Sequence, residues 1–160
     1  MDKIVDSIKY AYQILRYRHD VVSGEFVNIG IVFYDAEKRF LCARVTDNYE
    51  RIAHFFGSVA SPMLLRATKQ IEHVLNDIGQ QMTTHSQTRS VKSITDITSS
   101  VLPPNDNSLF FSTVFNGWHL DHQKAFDETF ERLVGRYTNE VPKQKTESVF
   151  KQPYTEVAVI

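Results

Sequence analysis

The sequence predicts an α+β fold, a mainly antiparallel sheet packed by about three helices, and three observations carry that prediction. Strand-type segments with period-two alternation cluster within residues 8–46 and are joined by short links. Helix-period segments follow at 62–78 and 120–135. A chain of 160 residues that is 42 % hydrophobic, with eleven Phe and seven Tyr, can bury the core of one ordinary domain. Strands first and helices after them predict a sheet covered by helices on one face.

The elements follow in order. IKYAYQILRYR (8–18) alternates, with Ile8, Tyr10, Tyr12 and Ile14 on one side and Ala11, Gln13, Leu15 and Tyr17 on the other. HDVVSG (19–24) is a loop that ends in a Ser-Gly turn pair. GEFVNIGIVFYD (24–35) is the second strand, DAEK a tight connection, and RFLCARVT (39–46) the third, so the three form an antiparallel meander. Asp47 or Asn48 caps a short helix that runs to about Phe56. Ser61-Pro62 opens a longer one, in which Leu64, Thr68, Ile71, Leu75 and Ile78 recur at helical spacing and Gly79 reads as the stop. Residues 80–93 are polar, without periodicity, and read as a loop; 94–107 read as a short helix or irregular chain before Pro103-Pro104. SLFFSTVF (108–115) is a fourth strand. A helix begins at Leu120-Asp121, carries Phe126, Phe130, Leu133 and Val134 on one face, and ends at Gly135. The division expected is one domain over 1–137 and a linker with an apolar tail over 138–160.

Composition narrows the function classes. A formal net charge of −1 does not indicate a chain that coats nucleic acid by bulk charge. The single cysteine, Cys42, cannot form an internal disulfide and fits a reducing compartment. MDKIVDSIKY has no apolar run, and no stretch reaches the roughly 18 apolar residues of a membrane span. The expectation is a soluble cytoplasmic protein with no membrane association.

The polar residues of the first hairpin are the candidate site. Arg16 and Arg18 share a face of the first strand; by parity Glu25, Val27, Ile29, Ile31 and Phe33 share the core face of the second, with Asn28 and Gly30 opposite. A mid-strand glycine admits a close neighbour. On a functional reading, Arg16, Arg18, Asn28 and Gly30 bind, the arginines holding phosphate or carboxylate through their planar forks. His19, Asp20 and Glu25 then supply acid–base groups or hold a divalent metal. On a bracing reading, an arginine pairs with Glu25 across the hairpin and Asn28 bonds the loop backbone. No catalytic signature accompanies the cluster.

Other features are weaker. His119 and His122 make half a metal site and read as surface and capping residues, so no metal or cofactor is implied. Cys42 reads as a small buried hydrophobe. His54 and His73 read as partly buried and satisfied within helices. The glycines lack phosphate-loop spacing. The tail carries Phe150, Tyr154, Val157, Val159 and Ile160, either as a last strand of the domain's own sheet or as a segment that docks onto a partner.

The pattern Tyr10-x-Tyr-x-x-x-Arg-Tyr17, a short loop, then GEFVNIGIVFYD resembles an uncharacterised bacterial family, the domain-of-unknown-function family 3037. The resemblance continues through FLCARVTDNYERI (40–52) and AFDETFERLVGRY (125–137), and so covers roughly residues 8–137. Arg16, Glu25, Asn28 and Gly30 match the family's pattern; His19-Asp20 stands where the family often has a proline. The resemblance implies no reaction. It implies a protein partner, a HipA-like kinase encoded nearby in defence or toxin–antitoxin-like gene sets. The leading expectation is therefore an accessory or regulatory protein that works by binding another protein. The alternative is a metal-dependent nuclease or nucleotide-handling enzyme using Arg16, Arg18, Asp20 and Glu25. Nucleic-acid binding would require Tyr17, Phe26 and Tyr34 on a basic face.

Overall fold

Alternation in the first 46 residues produces the three longest strands of the computed structural model, which describes residues 8–20, 22–50, 53–54, 62–84, 92–102 and 108–136. They are β1 (Ile8–Arg18), β2 (Phe26–Asp35) and β3 (Phe40–Val45), consecutive and antiparallel. The β2–β3 turn is held by Asp35, whose Oδ1 accepts the backbone N–H groups of Glu37 (3.1 Å) and Lys38 (3.3 Å). Of the helix expected over 47–56, Glu50, Ala53 and His54 are helical, the Ala53 N–H donates to the Tyr49 carbonyl at 3.2 Å and Asn48 Oδ1 accepts the Glu50 N–H at 3.0 Å; residues 51, 52, 55 and 56 lie outside the described residues, as does the whole tail.

The fourth strand is two pieces laid end to end along β1. β4 (Leu109–Phe111) lies opposite Leu15–Tyr17, and β5 (Phe115–His119) lies opposite Ile8–Tyr12. Ser112 makes the joint: its N–H donates to the Ile14 carbonyl at 2.8 Å and its Oγ accepts the Ile14 N–H at 2.9 Å. Gln13, buried beside it, donates to the Ser112 carbonyl at 2.7 Å and accepts from Thr98 Oγ1 at 2.8 Å. Each member of this buried polar set has a hydrogen-bond partner, as burial requires. Among the described residues the sheet has five strands in the order β3-β2-β1, with β4 and β5 sharing the far edge.

Three helices whose full extent is described pack on it: α1 (Pro62–Thr84), α2 (Ile94–Val101) and α3 (His122–Phe130), the last running into a π-helical turn over Glu131–Gly135. α2 starts with a capping box in which Ser93 and Asp96 satisfy each other's backbone N–H. Asp121 caps α3 by accepting the Lys124 N–H at 3.1 Å.

The helices cover both faces, not the one face expected. Val27, Ile29, Val32 and Tyr34 of β2 pack with Leu64, Ile71 and Leu75 of α1 and Ile94 and Ile97 of α2. Ile31 and Phe33 pack with Ala125 and Phe126 of α3 and with Val134. Arg44 ties β3 to α3, pairing with Asp127 at 3.0 Å while its guanidinium lies 4.5 Å from the Phe126 ring centre.

α1 also closes the outer edge of β3. The Asn76 side-chain amide imitates a neighbouring strand: it accepts the Ala43 N–H at 2.9 Å and donates to the Ala43 carbonyl at 3.0 Å. Glu72 Oε2 accepts the Val45 N–H at 3.0 Å. At Gly79 a Cβ would run into the Leu41 carbonyl oxygen. Gly79 is therefore a place of close approach, and the helix continues through it to Thr84, five residues into the segment expected as loop. The buried face, Leu64, Thr68, Ile71, Leu75 and Gly79, keeps the helical spacing of the sequence.

Asn76→Ala leaves both Ala43 backbone groups without their partner and is expected to destabilise the fold by about 1–3 kcal/mol. Gly79→Ala, forced against β3, is expected to cost a similar amount. Gln70→Ala, on the exposed side of α1, is expected to stay within about 0.5 kcal/mol in the same urea titration.

Candidate functional site

An extra residue in β2 organises the hairpin. Leu15 stands opposite Gly30, yet Arg16 stands opposite Asn28, so Ile29 is unmatched and the pair contains a β-bulge. The Ile29 carbonyl turns to β3, where it accepts the Thr46 N–H at 2.8 Å. Beyond the bulge the side-chain parity inverts. Val27 and Ile29 belong to the α1–α2 face, whereas Ile31 and Phe33 belong to the α3 face. Parity counted without a bulge had put all four on one side. Gly30 fits the bulge because a Cβ there would meet the Arg44 carbonyl and Val45 Cγ1, each at 2.8 Å. The bulge also separates Gly30, tight against β3, from Asn28, which faces the C-terminal helix.

Arg16, Arg18 and Asn28 come together. Arg16 Nε donates to Asn28 Oδ1 at 3.1 Å, and Asn28 Nδ2 donates to the Leu133 carbonyl at 3.1 Å. Arg16 lies over the Phe26 ring at 4.5 Å and Arg18 over the Phe110 ring at 4.1 Å. The two rings meet edge to face at 5.7 Å. Burial lowers the Arg16 pKa from its ordinary value, but a guanidinium starts so far above neutrality that it stays charged. Asn28 thus bonds a helix carbonyl near the end of the π-helical turn rather than the loop backbone. One amide links two strands to the last described turn of the chain.

The other three candidates lie elsewhere. Glu25 is exposed, and among the described residues no bond or ion pair joins it to Arg16 or Arg18. Asp20 is exposed and folds the loop: its Oδ1 accepts the Val22 N–H at 2.9 Å, and its carbonyl accepts the Gly24 N–H at 2.9 Å. Gly24 supplies the positive φ of +75° that this turn needs. His19 Nδ1 lies 3.0 Å from the Tyr17 hydroxyl. Among the described residues no three His, Cys, Asp or Glu side chains gather as a metal would require. Tyr34 is buried, its hydroxyl donating to the Lys92 carbonyl at 2.6 Å, and Tyr17 packs on the α1–α2 core. Of the three aromatics expected on a nucleic-acid face, only Phe26 is exposed beside arginines.

The histidines serve different partners. His119 accepts the Asp121 N–H at 3.0 Å, a bond at the start of α3. His122 Nε2 lies 2.9 Å from Oδ2 of buried Asp35, and its ring stacks on Phe40 at 4.6 Å. It ties the first turn of α3 to the β2–β3 turn. His73 lies open to solvent, 3.7 Å from Asp77, rather than partly buried, and His54 is likewise exposed. A cleft of about 430 Å³ opens on the α1–α2 side, lined by Lys9, Ala11, Tyr34, Lys92, Asn116 and their neighbours.

The sheet edge formed by β5 is what residue-level reading missed. Val114, Phe115, Trp118 and Leu120 are four of the seven exposed large hydrophobic residues among those described. Trp118 is 63 % exposed and Leu120 71 %. Lys9 braces the Trp118 indole from the neighbouring strand, with Nζ 5.2 Å from the ring centre. The run VFNGWHL carried the signal, an apolar alternation that continues past Phe115.

Cys42 packs beside Phe33 and Phe40, and desolvation pushes its thiol up to about 12, with Asp127 adding to the rise and Arg44 opposing it. Unfolded Cys42 ionises near its ordinary 9.0, so between about 9 and 12 the unfolded chain binds fewer protons than the folded one. Stability from this group therefore falls as pH rises through that window. Cys42→Ala is expected to flatten the alkaline limb of a stability–pH profile, and a thiol-specific reagent at pH 8 is expected to label Cys42 only on unfolding. Fast native labelling contradicts this.

Among the described residues, no helix is long and apolar enough to cross a membrane. No curated protein and no solved structure matches the chain. One family model does, over residues 12–134, and its description is "Protein of unknown function (DUF3037)". That stretch holds the bulged hairpin, the sealed edge, the open edge and the closing helix, and by it the chain belongs to the DUF3037 family.

Proposed function

We propose that the protein is an accessory or regulatory module that works by binding another protein, and that the β5 edge with Val114, Phe115, Trp118 and Leu120 is the docking surface. What supports this reading is the contrast between the two ends of the sheet. At β3 the edge is closed by Asn76, Glu72 and Gly79 of α1; at β5 the exposed apolar residues concentrate. An exposed hydrophobic edge is a template for association, and an apolar patch of this kind marks an interaction surface. Burying each such side chain contributes about 1.5–3 kcal/mol.

The kinase-like neighbour implied by the family resemblance is the first partner to try, within a defence or toxin–antitoxin-like gene set. The enzyme alternative draws no support from the geometry, because Asp20 and Glu25 do not converge with the arginines, and each arginine lies over a phenylalanine ring.

Trp118→Ser combined with Leu120→Ser is expected to weaken capture of the neighbouring gene product at least about tenfold, a loss of roughly 1.4 kcal/mol. Asp20→Asn with Glu25→Gln is expected to leave capture unchanged. Titration calorimetry on the folded variants reads both; the reverse pattern sinks the proposal.

A further inference from the structure

We propose that the cleft on the α1–α2 side is a binding site for a small organic phosphate, a monoester with an aromatic or aliphatic body. The cleft measures about 430 Å³, within the range of about 300–1,000 Å³ that small-ligand sites occupy. Its floor is one row of the sheet. Asn116 of β5 and Tyr34 of β2 each stand opposite Ala11 of β1, so the three side chains share a face. The methyl of Ala11 lies between two longer side chains, which makes the row concave. Ile94, at the start of α2, is part of the wall. The Tyr34 hydroxyl ties wall to floor by donating to the Lys92 carbonyl at 2.6 Å.

Charge decides what fits. Two ammonium groups line the cleft, Lys9 from β1 and Lys92 from the chain entering α2, and both residues are exposed. Among the described residues neither has a carboxylate partner. Lys9 lies on the same face as Ala11, two residues before it, with Nζ 5.2 Å from the Trp118 ring centre. Asn116 adds an amide that can donate to an anion. Asp35 is the one acid among the described lining residues, and its carboxylate is engaged elsewhere. Its Oδ1 accepts the Glu37 and Lys38 N–H groups, and its Oδ2 lies 2.9 Å from His122 Nε2.

The described lining has lysines and no arginine. A lysine meets an anion as a point charge, without the planar fork that matches a carboxylate. A phosphate monoester carries about −1.5 to −2 charges at pH 7 and so answers both ammonium groups, where a carboxylate answers one. The body of the ligand then lies on Ala11, Tyr34 and Ile94. The site stands apart from the β5 docking surface, and either holds without the other.

The test titrates naphthyl phosphate into the full chain and follows both heat and backbone amide resonances. Saturable binding is expected, with the Lys9, Ala11, Ser93 and Asn116 amides shifting and the Lys124 and Asp127 amides of α3 unmoved. Lys9→Gln with Lys92→Gln is expected to weaken binding at least about tenfold, as loss of charge-assisted bonds does. Lys92→Gln alone, which leaves the Trp118 contact intact, is expected to weaken it at least about threefold. Lys124→Gln, the same charge loss on the opposite face, is expected to leave it unchanged. Naphthoate and inorganic phosphate, each lacking half of the ligand, are expected to bind at least about tenfold more weakly. A dissociation constant above about 1 mM overturns the proposal. So do binding that survives the lysine pair, shifts confined to other parts of the fold, and naphthoate or inorganic phosphate bound as tightly as the ester.

Discussion

The bulge at Ile29 is the constraint on which the rest of the structure depends. One unmatched residue inverts the parity of β2, so that its first half buries Val27 and Ile29 against α1 and α2 while its second half buries Ile31 and Phe33 against α3. Without the inversion, Ile31 and Phe33 would turn to the α1–α2 face and Val32 and Tyr34 to the α3 face, so neither layer would meet the side chains it packs on here. The same inversion aims Asn28 at Leu133, where it holds the end of the closing helix. Gly30 makes the bulge possible, since β3 runs too close for any side chain there.

Polar side chains finish what the apolar core begins. Asn28 bridges sheet to helix, Gln13 and Ser112 join two short strands into one edge, and Asn76 stands in for a strand that β3 lacks. Each satisfies backbone or amide groups that would otherwise be buried unpaired, at about 1–3 kcal/mol apiece. Arg16 belongs to this class through its bond to Asn28, and both hairpin arginines lay their flat faces over rings, Arg16 on Phe26 and Arg18 on Phe110. At the other end of the sheet, apolar side chains stay exposed among the described residues.

Legibility followed the physics of each element. β1 to β3 were readable almost to the residue because turn residues bracket them. The bulge was not readable, because a strand buried on both faces is apolar at both parities and its alternation carries no register. Gly30 was the one visible sign. Gly79 misled for a related reason: a helix glycine reads as a stop, while here it admits a neighbouring carbonyl. Of the candidate site, Arg16 and Asn28 were found as residues but not as partners, since an arginine near a glutamate reads as an ion pair. Trp118 lay between a predicted strand and a predicted helix, and its exposure depends on where the sheet ends.

The central claim is that the hairpin cluster braces the fold. A double-mutant cycle on Arg16→Ala and Asn28→Ala, followed by urea unfolding, addresses it most directly. The account predicts that each single variant is destabilised and that the two are coupled by about 0.5–3 kcal/mol, because Asn28 holds the guanidinium and the helix carbonyl together. Variants as stable as the parent, or strictly additive losses within about 0.3 kcal/mol, would contradict it.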